Sequence, residues 1–376
     1  MDKHDFHPTK TLPAPPVGLK GWPWELGDAT PGTPPAGGWP KITLITPSYN
    51  QGHFIEETIR SVLGQGYPNL EYLIFDGGST DNTVQILEKY SPWLTHWESK
   101  PDKGQSDAIN KGLVMASGDI INWLNSDDTY QPLSLFAVAR AFAEQPGTHC
   151  VAGKSRIFSE AGEERLSRGT DVFPGNLAKT IGWARIDQPE TFFSGEAVRK
   201  MGPLDPRFHF TMDREWWVRF LLHFGLEPIR KIPDVLVNFR LHEASKTVSL
   251  NDSFNFERDS FFCSLARQLE EHDMVAAVQS RYEKPLTDFQ EIIPYQLLEK
   301  HRDTLHSALH YFALQVGNEC YEIQNKHCAN RVFKLVDPSK LHPQDARQLK
   351  SLRRRNRLPR VFINVARKVS RAKARA

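Results

Sequence analysis

No stretch of this chain approaches the roughly 18 consecutive apolar residues that a spanning helix needs, and its first residues are too polar for a secretory leader. A soluble protein is therefore expected. Cysteine is scarce, with four in 376 residues. Cys150 and Cys263 stand alone, and the Cys320-x7-Cys328 pair fits no zinc spacing, so a structural zinc site is excluded and a reduced, cytoplasmic chain is expected. The glycine-rich nucleotide loops are missing too. No G-x-G-x-x-G follows the first strand and no G-x-x-x-x-G-K-[ST] occurs anywhere, which removes the main support for dinucleotide redox and P-loop chemistry. There is no internal repeat. Acids are absent from one whole segment: residues 347–376 contain twelve Lys+Arg and no Asp or Glu.

What is present is ordinary for a folded domain, 39% hydrophobic and 24% charged residues. The formal net charge of +2 conceals an asymmetry, because residues 1–346 carry 35 basic and 45 acidic side chains. An acidic body with a basic tail describes a folded unit attached to a polyanion-seeking segment. Leu358, Val361, Phe362, Val365 and Val369 give the tail an apolar helical stripe among its cations, which suits an anionic membrane surface. The competing reading is a solubilising tail. The same charge attracts nucleic acid, but no recognition fold accompanies it, so no nucleic-acid partner is expected. Residues 1–40 hold nine prolines and read as an extended arm, laid over a surface or loose.

From Lys41 the pattern alternates. Ile42–Thr46 is a β-branched run stopped by Pro47; Ile55–Leu63 has helical spacing; Leu70–Phe75 reads as a second strand and Thr83–Tyr90 as a helix. A weaker strand over 93–98, a helix over 106–115, a strand over 120–124 and a helix from Pro132 to about Glu144 follow. Strands alternating with helices predict an α/β fold with a mostly parallel sheet, whose ligands bind beyond the carboxyl ends of the strands. Those ends are polar: Pro47-Ser48-Tyr49-Asn50, Asp76-Gly77-Gly78-Ser79 and Ser126-Asp127-Asp128. Adjacent acids at a strand end repel unless solvated or neutralised, and a divalent cation is one way to neutralise them; turn and cap residues are the plainer reading. A helix is also expected over Met212–Phe224, and helical periodicity dominates from Asp252 to Val336.

Taken in order, Thr46–Gln51, Asp76–Asp81, Asp102–Gly104 with Asp107–Gly112, Gly118-Asp119 with Leu124–Asp128, Gln188–Phe193, Met212–Trp217 and Arg240–Thr247 closely resemble the motifs of family 2 glycosyltransferases. The resemblance covers about 41 to 248. It implies the GT-A fold and inverting transfer of a sugar from a nucleoside diphosphate, UDP being the first choice, with Mg2+ or Mn2+. Carried over position by position, Thr46, Pro47, Tyr49, Asp76 and Ser79 would hold the base and ribose, and Asp102 and Asp107 would shape the nucleotide pocket. The family's D-x-D falls on Asn125-Ser126-Asp127, so its first acid is a neutral amide here. Asp127 would bind the metal, Asp128 the metal or the sugar. His242 stands where some relatives supply a metal or pyrophosphate ligand; a packing histidine is the alternative.

The catalytic base corresponds to Asp213, which must take the acceptor's proton. Its bland alternative is a first-turn acid favoured by the helix dipole. Trp183 and Gln188 are assigned to the acceptor side, whereas Trp217 with Phe220, Leu221 and Phe224 has the spacing of a core face. The acceptor would be a glycan or lipid-linked hydroxyl, with the protein peripheral on the inner face of the cell membrane. Expected boundaries are 1–40 for the arm, 41–250 for the transferase domain, 251–340 for a helical extension and 341–376 for the tail. A sugar-nucleotide pyrophosphorylase is a competitor, but 47–52 lacks the basic residues its loop needs. A non-catalytic sugar-nucleotide-binding protein is the third reading.

Overall fold

A computed structural model describes residues 12–27, 30–159, 161–242 and 251–357. The strands are β1 (Ile42–Ser48), β2 (Leu70–Asp76), β3 (His96–Ser99), β4 (Ile120–Trp123), β5 (Thr129–Tyr130), β6 (Cys150–Ser159), β7 (Glu164–Leu166), β8 (Thr191–Ser194) and β9 (Ile229–Leu241). The helices are α1 (Ile55–Leu63), α2 (Thr83–Tyr90), α3 (Gln105–Met115), α4 (Ser134–Glu144), α5 (Leu177–Trp183), α6 (Gly195–Met201) and α7 (Met212–Phe224). They continue with α8 (Asn251–Gln268), α9 (His272–Gln279), α10 (Tyr295–Lys300), α11 (Arg302–Glu322), α12 (Lys326–Leu335) and α13 (Pro343–Asn356). Two compact units result, one of Met1–Val172 with Arg185–Phe254 and one of Phe173–Ala184 with Asn255–Ala376.

The first unit is built on one sheet in the order β3-β2-β1-β4-β8-β6-β9-β5, with β7 on β6. Its β3-β2-β1-β4 edge is parallel, as the alternating pattern predicts, but β8 runs antiparallel to both β4 and β6. The sheet is therefore mixed, its parallel part confined to that edge and to β6–β9. Every residue of β1 is buried. Ile42 and Leu44, with Tyr72 and Ile74, pack against Ile55, Ile59 and Val62 of α1 in the main apolar cluster.

Pro47 does not stop β1. The strand runs two residues further, pairing Pro47 with Phe75 and Ser48 with Asp76 on the β2 side, while pairing with β4 ends at Ile45. Beyond Ile45 the β4 side asks for no further N–H, and proline is tolerated at such an edge. This carries Ser48 and Asp76 side by side to the same rim.

The proline-rich arm is anchored at several of its described residues. Trp39 sits edge-on to Tyr67 and Phe136, and Arg140 donates to the Pro31 carbonyl at 2.6 Å.

The second unit is helical. Its Cys320 and Cys328 form a disulfide, which corrects the expectation of a fully reduced chain: α11 and α12 are joined by a short turn that brings the two Cα atoms to 6.0 Å. Arg258 and Arg281 bind Glu319 and Asp259 in a charge-balanced cluster. The first part of the basic segment belongs to α13, whose Leu349 and Leu352 are buried and whose Arg353 donates to the Phe333 and Val336 carbonyls at the end of α12. Arg347, Lys350, Arg354 and Arg357 are exposed and fall at the spacing of one helix face. The stripe Leu358–Val369 lies outside the described residues. No helix among the described residues is long and apolar enough to cross a membrane.

Candidate active site

Three strand ends meet at the rim of the parallel edge. Gly77 donates to the Ser48 carbonyl at 2.8 Å, Asn50 N–H to Ser79 Oγ at 2.7 Å, and Thr80 N–H to Asn50 Oδ1 at 2.9 Å. Leu124 N–H donates to Ile45 O, which starts the Asn125–Asp128 loop next door. Gly78 takes φ +84° here, and a Cβ on it would stand 3.1 Å from Pro101 N, so the turn after β2 requires glycine.

Asp76 is 2% exposed and heavily engaged. Its Oδ2 accepts from Gly78 N, Ser79 N and Ser99 Oγ, and its Oδ1 from Ser79 Oγ at 2.5 Å. One lone pair on Oδ1 is left for an outside donor. Tyr49 presents its ring outward, 61% exposed. Asp102 accepts from Gly104 N and lies against Gly77, where an added Cβ would come 3.0 Å from its Oδ2. Asp107 accepts from Lys103 N at 3.2 Å, so it braces the turn into α3. Thr46 is the exception among these residues: it is fully buried with its hydroxyl bonded to Tyr72 at 3.0 Å. Its side chain belongs to the core, which leaves only its backbone for the nucleotide contact expected of it.

Across the rim, Gln105 donates to Asn125 Oδ1 at 2.8 Å, tying the start of α3 to the loop after β4. His242 Nε2 lies 3.0 Å from Asp127 Oδ2. Asp128 is 1% exposed; Oδ1 accepts from Arg240 N–H and Oδ2 has no partner. Burial, with the charge of Asp127 behind it, holds this carboxyl well above the usual range. Ser48 Oγ and Gln51 Oε1 are likewise buried without partners. Three orphaned polar atoms near one set of strand ends mark a place that expects a polar ligand.

Asp213 opens α7, its Oδ1 accepting from Arg214 N–H at 2.8 Å. Burial lifts this carboxyl to about 6, opposed by Arg214 and assisted by the charge of Asp187. Asp187 also acts on Glu190, and Glu190 on Asp128, so these acids share one field. Trp217 is buried in the core, as its spacing predicts, and Trp216 is buried beside it. Gln188 spends both amide hydrogens on Asn122 Oδ1 and the Trp123 carbonyl. Its amide nitrogen is thereby tied to β4. Trp183 lies in the second unit with its ring 5.9 Å from Phe173.

The profile of glycosyl transferase family 2 matches residues 43–198. An uncharacterized glycosyltransferase of Mycobacterium tuberculosis is 31% identical over 191 residues, 49% of this chain and 70% of that protein. The chain belongs to glycosyl transferase family 2. This glycosyltransferase also superposes on TarS 1–349 of S. aureus in complex with UDP-GlcNAc, with TM-score 0.47 and 17% identity over 84% of this chain and 90% of that one. The mannosyltransferase PcManGT of Pyrobaculum calidifontis, in complex with GDP-Man and Mn2+, gives TM-score 0.44 and 16% identity over 87% and 88%. Family membership brings the GT-A class expected from the sequence, and the mixed sheet with a helical region after it has that layout.

Two residues of the glycosyltransferase site lie inside the quoted motifs without having been given a role there. Arg240 is held between the rings of Phe54 and Phe158, binds Glu57 at 2.6 Å and donates Nε–H to the Asp127 carbonyl. It lies at the end of β9, two residues before His242, and both residues meet Asp127. Glu190 is 1% exposed, accepts from Ser155 and Ser167, and is raised to about 8, mainly by burial. Its signal was its place inside the Gln188–Phe193 motif.

Proposed function

We propose that this glycosyltransferase is an inverting enzyme that moves a sugar from a UDP-linked donor to a hydroxyl of a glycan or lipid-linked acceptor, with Asp213 as base. The observation that carries the reading is the pair of acids in different settings. Asp127 stands beside a histidine at a strand end, and Asp213 stands at a helix start with its carboxyl raised toward neutrality. A base near 6 is free to accept a proton at physiological pH yet holds it well enough to help. Asp213 takes the acceptor proton as the acceptor oxygen attacks the anomeric carbon; the bond from that carbon to the diphosphate oxygen breaks on the opposite face, which inverts the centre. Asp76, Ser79, Pro47 and Tyr49 hold base and ribose, Asp102 and Asp107 fix the turn beside them, and Asn125 hydrogen-bonds the donor.

The residues present fit a divalent cation, Mg2+ or Mn2+, of the kind that completes its shell with phosphate oxygens. Among the described residues no group of three or more His, Cys, Asp or Glu could hold a metal. Asp127 and His242 supply two donors, and a cation bound by one or two side chains plus substrate phosphates needs no more. When bound, such a cation neutralises charge on the departing diphosphate. Thermal shifts with UDP, GDP and their sugars, with Mn2+ or EDTA, test the reading. UDP with Mn2+ is expected to stabilise most. Equal shifts with and without EDTA would remove the metal, and no shift with any nucleotide would remove the donor class.

The exposed basic face of α13 supports peripheral docking on an anionic membrane, each cation near the headgroups contributing about 1 kcal/mol. Because α13 is packed into the second unit, the informative truncation ends at Arg357. Removing Leu358–Ala376 is expected to leave the fold intact and to abolish the salt-resistant part of binding to anionic vesicles, the remainder fading as salt rises. Intact and truncated chains that co-sediment alike would show that the last segment has no part in docking.

A further inference from the structure

The Asn125–Tyr130 segment carries the residues assigned to the donor, and its anchorage leads outside the family match at residues 43–198. Thr58 of α1 offers its single hydroxyl proton to the Ser126 and Asp128 carbonyls at 3.0 and 2.8 Å. Ser61 of α1 accepts from Tyr130 N–H at 3.1 Å. Helix α1 thus holds this segment along one side.

The arm grips both. Trp22 donates its indole N–H to the Tyr130 carbonyl at 2.7 Å. Arg60, on the same helix and 2% exposed, donates to the carbonyls of Pro13, Pro23 and Trp24 at 2.8, 3.3 and 3.0 Å, and to the Tyr90 hydroxyl. Its planar fork reaches three backbone oxygens of the arm at once, and hydrogen bonds from a cation are the strong kind. The fit is close enough that a Cβ on Gly64 would stand 3.1 Å from the Trp22 ring and 2.7 Å from the Leu26 side chain.

We propose that the proline-rich segment 12–27 is a positioning element of the donor site, in which Trp22 directly and Arg60 through α1 hold the Asn125–Tyr130 segment in register for the nucleotide diphosphate and its cation. The inference rests on the proposed donor reading for what the segment binds, and on geometry alone for what holds it. Trp22 touches no substrate in this scheme; it acts through the Tyr130 backbone.

Trp22→Phe keeps an aromatic ring and removes only the indole N–H. In the intact, metal-free protein, amide hydrogen exchange over residues 125–130 is expected to quicken about threefold to tenfold, the range one hydrogen bond is worth. Titration calorimetry with UDP and Mn2+ is expected to show a dissociation constant raised by a similar factor. Arg60→Lys, which keeps the charge and loses the fork, is expected to do the same. The pH dependence of turnover set by Asp213 should not move. Unchanged exchange, or faster exchange with unchanged nucleotide affinity, overturns the inference and leaves the arm a stabilising strap. If the wild type binds no nucleoside diphosphate at all, the donor reading fails and takes this inference with it, an outcome that wild-type titration distinguishes from the other two.

Discussion

Asp213→Asn is expected to lower turnover about 10²- to 10⁴-fold, the range of a lost general base, while UDP with Mn2+ still stabilises the protein. The carboxylate serves the acceptor proton and not the diphosphate, so binding and chemistry should separate in this variant. In the parent, turnover should rise with pH through about 6, where Asp213 loses its proton, and the low-pH limb should vanish in the variant. The same shift fixes a sign for stability. The folded carboxyl titrates near 6 against an ordinary 3.8, so the native state binds this proton more tightly than the unfolded chain. Its contribution favours the fold below about pH 4 and is withdrawn as pH rises through 6. At pH 7 to 8 the buried charge is a cost, and Asp213→Asn should be more stable than the parent by on the order of 1–3 kcal/mol. Loss of turnover with a raised melting temperature is the signature of a base held at the expense of the fold. A variant that kept most of its turnover would sink the assignment.

The parallel edge of the sheet was legible because its strands are short β-branched runs between helices of clear period, so α1, α2 and α7 fall where spacing puts them. The site was legible through its motifs, and the convergence of Ser48, Asp76 and the Asn125–Asp128 loop follows from parallel strands ending at one rim. Thr46 was not legible. Both faces of β1 are buried, so alternation cannot say which residues face a ligand. The bonds of Gln188 to β4 were hidden for a similar reason: an amide in a motif reads the same whether it meets substrate or a neighbouring strand. The arm was opaque because proline-rich sequence carries no period, and what binds it is scattered: Arg60 and Arg140 on two helices, the Tyr130 carbonyl, and the rings of Tyr67 and Phe136. Cysteine spacing led to the expectation of a reduced chain, because only the helix hairpin brings Cys320 and Cys328 together.

Asp127→Ala should produce the opposite separation. Asp127 is the one carboxylate of the loop with a histidine against it and an open side, 21% exposed beside an 11% exposed His242. Asp128, 1% exposed with Oδ1 on the Arg240 amide, cannot turn outward without breaking that bond. Removing Asp127 leaves one imidazole for the cation, and the Mn2+ concentration for half-maximal stabilisation by UDP is expected to rise about 10- to 100-fold or more, given that even outer-shell losses cost that much. Metal-free binding of UDP should change little, because Asp76, Tyr49 and Ser79 are untouched. Asp128→Asn preserves the Arg240 contact and should have a smaller effect. Asn125→Asp runs the test in reverse: Gln105 still has an acceptor at 125, and the added carboxylate beside Asp127 should lower the Mn2+ requirement. If Asp127→Ala kept the parent's Mn2+ dependence, the cation would have to be held elsewhere, and the pairing of Asp127 with His242 would be a structural contact of the loop.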